Sequence, residues 1–461
     1  MVTTSAETLI QTKGISLVKT SSVCPVCLKR IPAERVAYGD DVYLEKTCAD
    51  HGFFKTILWR GMPSYPSWMR EKIPNHPQTH FHQTQGGCPF DCGLCAFHRQ
   101  EPCCVLLEVT RRCDLGCPVC FASSGSGVAA DPDLSVVEGW YRRMLEAGGP
   151  FNVQLSGGEP CLREDLPEII RMGKKLGFTY FQVNTNGLRL AVDKDYLQQL
   201  KEAGLNVVYL QFDGTEPEIY RSIRGRDVLP QKIRVIENCA ELHIGVVLVP
   251  TVVPGVNDKN LGGIIRFALE HYPTVRGIHF QPVTYFGRYP NPPRNEDRIT
   301  IPELLSGMET QTGGLVHLRD FHPKGSENSY CSFNANYLIQ PDGCLSPIHS
   351  SESECCCKPQ DAKVFVKRSR EFVARHWTYH EPPKEVTGSS LSLGGWDTVL
   401  ERARSHFFSI SGMAFQDAWN LDLELLQDCC IAIAAPNGDL VPFCSYNLTN
   451  TRGETLYRPR T

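Results

Sequence analysis

The sequence predicts an α/β protein built on an open, partial (β/α)6 barrel, with a metal-binding ribbon module before it and a cysteine-bearing domain after it. Three observations carry this prediction. β-rich runs alternate with helical spacing between residues 105 and 285, the alternation repeats six times, and most of the 21 cysteines gather in zones flanking that stretch. Strand–helix alternation implies parallel pairing through right-handed crossovers, and six units are too few to close an eight-stranded barrel.

The elements follow in order. Residues 1–75 form the expected ribbon module and 76–104 a cysteine-bearing lead-in. Within the core, 105–285, the spacing predicts strands at 105–110, 151–156, 178–185, 206–212, 244–251 and 276–283. Between them Leu134, Val137, Trp140, Met144 and Leu145 share one helical face, as do Leu197, Leu200 and Ala203. The chemistry is expected where the loops converge, at the C-terminal ends of the strands. Pro282–Arg298 reads as a linker or lid, because Pro, Asn and Arg dominate it. The remainder, 286–461, contains a hairpin presenting Cys344, a charged irregular stretch from Asp361 to Lys384, and two short strands around Asn437-Gly438.

Composition narrows the class. Hydrophobic residues make up 41% and charged residues 21% of 461, and the formal net charge is −4. That balance describes a globular protein with no bulk attraction for nucleic acid or anionic lipid. Met1–Lys19 lacks a secretory apolar core, and the run Ile244–Val256 is short and broken by Pro250 and Pro254. A cytoplasmic location is the expectation. In a reducing compartment, clustered cysteines read as metal ligands rather than disulfides.

The decisive segment closes the first core strand: Cys113, Cys117 and Cys120 at Cys-x3-Cys-x2-Cys spacing in one tight loop. Three thiolates on a cubane cluster leave one iron without a protein ligand, an open position for catalysis. The second core strand runs into Gly157-Gly158-Glu159-Pro160, where two glycines let the backbone lie close to a ligand and Glu159 can accept from a cationic amine.

Together these residues resemble the radical S-adenosylmethionine (SAM) superfamily over about 105–285. The resemblance implies a [4Fe–4S] cluster on the cysteine triplet, with SAM on the Gly157–Pro160 turn. It also implies SAM contacts at the ends of later strands, at Asn184, Asn186, Gln211, Asp213 and Arg224. One departure is Val119, where the family usually carries an aromatic residue; Phe121 follows the third cysteine instead.

The flanking cysteines add further sites. Cys24, Cys27 and Cys48 form the knuckles of a rubredoxin- or zinc-ribbon-like iron or zinc site, completed by His51 or by a distant cysteine. Cys88, Cys92 and Cys95 repeat the catalytic spacing and suit an auxiliary [4Fe–4S] cluster closed by Cys103 or Cys104. In the tail, Cys331 and Cys344 bracket a hairpin, and Cys429, Cys430 and Cys444 can complete another site. Cys239 reads as a buried thiol, Cys161 is open to either reading, and Cys355–Cys357 offers at most one or two ligands.

Nearly the whole chain resembles one branch of the superfamily, the tetraether lipid synthase group, whose members have also been labelled pterin methyltransferases. That likeness implies three [4Fe–4S] clusters in all, a low-potential donor such as ferredoxin or flavodoxin, and contact with a membrane periphery. The leading expectation is the joining of sp3 carbons of lipid chains. Methylation of a pterin-type small molecule is the alternative, and an iron–sulfur electron carrier the distant one. A lipid substrate predicts a long apolar channel; a pterin predicts a compact polar pocket.

Overall fold

The computed structural model describes residues 13–81, 83–125, 130–348, 360–380 and 405–459. The N-terminal strands β1 (Ile15–Val23), β2 (Arg30–Tyr38), β3 (Asp41–Cys48) and β4 (Gly52–Trp59) form an antiparallel sheet in sequence order. On β3, Val42, Leu44, Lys46 and Cys48 alternate inward. The inner face carries charge as well as apolar surface. Arg35 pairs with Asp422 at 2.6 Å, and Lys46 Nζ donates to the Ala418 carbonyl at 2.8 Å and to Ser22 Oγ at 3.0 Å. These buried contacts fasten the ribbon to the tail, and burial drives the Lys46 ammonium pKa down to about 7.

After β5 (Lys72–Ile73), the six expected core strands appear as β6 (Cys104–Thr110), β7 (Asn152–Gly157), β8 (Phe181–Thr185), β9 (Val207–Gln211), β10 (Gly245–Val249) and β12 (Val275–Pro282); a short β11 (Thr251–Val252) pairs beside β12. All six run parallel, and β10 is buried along its whole length, as a strand covered on both faces must be. Helices cover the outside. The first, α1 (Leu134–Glu146), buries Val137, Trp140, Tyr141 and Met144. Another, Lys194–Ala203, buries Leu197, Leu200 and Ala203 between an Asp193 cap and Gly204 at φ 111°.

The tail enters the same sheet on both sides. Strand Phe407–Met413 pairs parallel with β12, and strand Ile431–Ala434 pairs parallel with β6, so the sheet crosses residue 285. Strand order stays open at both edges, giving eight parallel strands without closure. The stretch expected to be irregular after Asp361 is instead a helix, Ala362–His376, capped by the Asp361 side chain. Its apolar stripe is thin, with only Ala362 and Val366 buried among Lys and Arg, which hides the helical period. This helix crosses the N-terminal mouth of the barrel. Asn152 at the start of β7 donates to Arg370 O, and Arg276 near the start of β12 donates to His376 O. No helix among the described residues is long and apolar enough to cross a membrane.

Candidate active site

The cysteine triplet leaves the end of β6 as a loop held on three sides. Cys120 and Arg288 exchange backbone hydrogen bonds at 2.8 and 3.0 Å, so the segment read as a linker or lid lies as a strap against the loop. The Arg288 guanidinium donates to Cys117 O at 3.1 Å and to Ser124 O at 3.0 Å. Gly287 has φ 56°, and a Cβ there would meet the carbonyls of Phe121 and Cys120 at about 2.5 Å, so only glycine fits. On another side Asn186 Nδ2 donates to Asp114 Oδ1 at 2.6 Å. Beneath, Leu115 packs with Tyr220 and Val228.

All three thiols face one cavity of about 320 Å³ that fills the barrel lumen. Burial pushes the Cys113 thiol up to about 12. Three soft donors converging on a cavity fit a cluster with one open iron.

Gly157 and Gly158 also meet a packing demand inside the protein. A Cβ on Gly157 would lie 2.1 Å from Thr110 O, and one on Gly158 2.1 Å from Arg112 O. The glycines let the end of β7 press against the backbone leading to the cysteines, and Gly158 N and Glu159 N donate to those same two carbonyls at 2.8 Å. Both still line the cavity. The Glu159 carboxylate, 1% exposed, accepts from Thr185 Oγ1 and Asn186 N at 2.6 Å and from Cys161 N at 3.0 Å. These donors fix its direction. Burial raises its pKa against their lowering effect.

Asn184, Asn186, Gln211 and Arg224 also line the cavity. Pro160 does not, because it is buried as the first residue of the turn that follows Glu159. Asp213 does not either. Its carboxylate is fully buried holding Arg224 through two 2.7 Å bonds and accepting from Thr251 N at 3.1 Å. Arg224, so aimed, points a guanidinium nitrogen at Cys117 Sγ, 3.7 Å away. Lys232, unmarked by any motif, is buried and donates to Asn186 O and Gln211 Oε1. Burial lowers its pKa to about 8.

The other cysteines are spread over several places. Cys24, Cys27, Cys48 and His51 bring their ligand atoms within 4.8 Å of one another, a tetrahedral-type set of three sulfurs and one nitrogen that fits zinc or iron. Cys88, Cys92 and Cys95 lie off the cavity, where Ser445 Oγ donates to Cys92 Sγ at 3.3 Å and Cys444 shares a buried cluster with Cys92 and Cys88. Cys103, expected to close that loop, meets Cys430 at 2.9 Å between sulfurs, with the Glu327 carboxylate beside them. The backbone explains it, since Cys103 N donates to Cys430 O at 2.8 Å where β6 meets the tail strand. Cys104 faces the cavity from β6.

Burial, then the Cys429 thiol, raise the pKa of the Cys331 thiol, and burial, then Cys429 and later Cys331, raise that of Cys444. Cys344 stands apart, exposed at the tip of the hairpin between strands Ser332–Ile339 and Leu345–Pro347. Cys161 and Cys239 are buried thiols off the cavity. The Cys355–Cys357 run lies outside the described residues. Sequence patterns missed Arg288, Lys232 and Glu327, single residues with no local motif; Arg288 in a Pro-rich strap was the only hint.

Residues 107–268 match the model of the radical SAM superfamily, and residues 17–60 match the HMPTM N-terminal zinc ribbon domain. The chain is 35% identical over 471 aligned positions to 7,8-dihydro-6-hydroxymethylpterin dimethyltransferase of Methanocaldococcus jannaschii, spanning 93% of each. It is 35% identical to PqqA peptide cyclase of Xanthomonas oryzae pv. oryzae, over 55% of this chain and 69% of that protein. Against GTP 3′,8-cyclase of Petrotoga mobilis identity is 25%, over 58% of this chain and 86% of the cyclase.

Proposed function

The chain belongs to the radical SAM superfamily and to the family of the Methanocaldococcus dimethyltransferase, and on that premise we propose that it methylates a pterin-type heterocycle. It is an enzyme of the SAM-cleaving class, with a [4Fe–4S] cluster and SAM as cofactors. When bound, these supply a 5′-deoxyadenosyl radical that removes hydrogen from carbon. The chain's own residues do the rest. Cys113, Cys117 and Cys120 hold the cluster, Glu159 orients an amine, and Arg224 sets charge beside Cys117. The helix Ala362–His376 crosses the far mouth of the lumen and limits the approach of water from that side.

One observation carries the choice of substrate: Gln154, Gln182, Tyr209 and His279 bring a belt of polar groups to the wall of the lumen. The full-length likeness to a pterin dimethyltransferase supports the same choice. Joining of lipid chains is the second reading. The apolar wall of Leu106, Val119, Val253, Phe286, Phe415 and Phe443 favours it. A ferredoxin- or flavodoxin-type donor supplies the electron in either case.

The test is reconstitution with reductant and SAM, followed by mass spectrometry of pterins and lipids from an expressing host. A pterin gaining one CH₂ per methyl supports the proposal. Joined lipid chains lighter by two hydrogens, with unchanged pterins, overturn it.

A further inference from the structure

Gln154 on β7, Gln182 on β8, Tyr209 on β9 and His279 on β12 point into the lumen, and none is more than 9% exposed. Inward barrel positions are ordinarily filled by branched apolar side chains. A buried amide or imidazole there is unfavourable unless its hydrogen bonds are met. Here they are met only in part. Gln182 Nε2 donates to Gln154 Oε1 at 2.7 Å, and the Tyr180 hydroxyl donates to Gln182 Oε1 at 3.1 Å. Among the described residues no hydrogen bond reaches Gln154 Nε2, the Tyr209 hydroxyl or His279 Nε2.

The histidine's tautomer follows from its neighbours. His279 Nδ1 lies 2.9 Å from Ser411 Oγ, and that hydroxyl donates onward to Ile278 O at 3.4 Å. Nδ1 therefore carries the hydrogen, and Nε2 keeps its lone pair. Burial, then the Lys324 charge, hold the ring well below the usual histidine range, so it is neutral. The Tyr209 ring stacks on Trp377 with centroids 5.8 Å apart and lies 5.8 Å from His279, which makes one wall of the belt flat and aromatic.

We propose that Gln154, Gln182, Tyr209 and His279 form the substrate-recognition belt, which takes the donor–acceptor edge of a planar nitrogen heterocycle. Gln154 Nε2 donates to a ring carbonyl or ring nitrogen, His279 Nε2 accepts from a ring N–H or exocyclic amine, and the Tyr209 hydroxyl serves either. An aminopyrimidinone edge presents such alternating atoms. A hydrocarbon chain presents none and would leave these buried groups unpaired. The inference rests on the pterin-type reading above and adds the residues that read the ring.

The test is anaerobic titration of the reconstituted, SAM-loaded holoenzyme with 7,8-dihydro-6-hydroxymethylpterin, followed by calorimetry. The wild type is expected to bind, and Gln154→Leu and His279→Phe each to weaken Kd about ten- to a hundredfold. Gln154→Glu keeps the oxygen that holds Gln182 but removes the free donor, so it weakens binding without disturbing that pair. It serves if the leucine variant fails to fold, with iron content and melting temperature as the check. Wild-type affinity retained by all three variants overturns the belt while the pterin-type reading survives. Absence of binding by a wild type that still cleaves SAM overturns that reading, and the belt with it.

Discussion

Two loops in this protein carry the same spacing, Cys88-x3-Cys92-x2-Cys95 and Cys113-x3-Cys117-x2-Cys120, and the fold treats them oppositely. The second is suspended from a barrel strand and opens on the lumen, with Glu159, Arg224 and the glycine turn around it. The first hangs from no sheet and lies off the cavity. It is braced by Asp91, which accepts from Gln85 N and Gly87 N, and by Tyr457, which bridges Cys92 N and Pro89 O. The same spacing therefore stands in two different surroundings. What surrounds the thiols determines whether they meet the lumen or the rest of the protein.

The contrast can be broken most severely at the central cysteines. Cys117→Ala is expected to abolish 5′-deoxyadenosine formation and to lower bound iron by about four atoms per chain. Cys92→Ala is expected to lose iron of its own loop while 5′-deoxyadenosine still forms. Equal loss of cleavage in both variants would mean the first loop is also needed for the cleavage step. Iron analysis and product chromatography read both outcomes.

The strap comes next. Arg288→Ala removes the two bonds to Cys117 O and Ser124 O, and supports of this kind around metal ligands change activity about ten- to a hundredfold. The expected result is that loss in SAM cleavage with a broadened electron paramagnetic resonance signal from the reduced cluster. Arg288→Lys, which cannot span both carbonyls, should fall between.

Backbone packing sharpens the comparison further. Gly157→Ala drives a Cβ to 2.1 Å from Thr110 O at φ 126° and is expected to cost about 2–5 kcal/mol, seen as a lowered melting temperature. Gly116→Ala, inside the catalytic loop, meets nothing within 4 Å and should leave the melting temperature almost unmoved. The tightness therefore lies at the junction between strand ends and under the strap, not at Gly116. The smallest effect is at the first loop. Tyr457→Phe leaves the buried Cys92 amide without its acceptor and should cost about 1–2 kcal/mol, measured by chemical denaturation.

How much of this was legible in the sequence depends on how locally it is encoded. The triplet Cys113, Cys117 and Cys120, the six core strands and the quartet of Cys24, Cys27, Cys48 and His51 all follow from short spacings and continuous β-branched runs. Such features report the strand, the turn and the ligand type within a few residues. The meeting of Cys103 with Cys430, 327 residues away, depends on which tail strand joins the edge of β6. The burial of Asp213 against Arg224, the strap role of Arg288 and the exposure of Cys344 likewise depend on partners brought by the sheet. So does the packing of Gly157 and Gly158 against two carbonyls, which no local pattern announces. By itself the sequence determined the chemistry of the donor sets and the class of the core, because both are written in local spacing. Only the tertiary structure decided which distant groups share a site and which seat faces the lumen, because sheet order and long-range packing, not periodicity, select the neighbours.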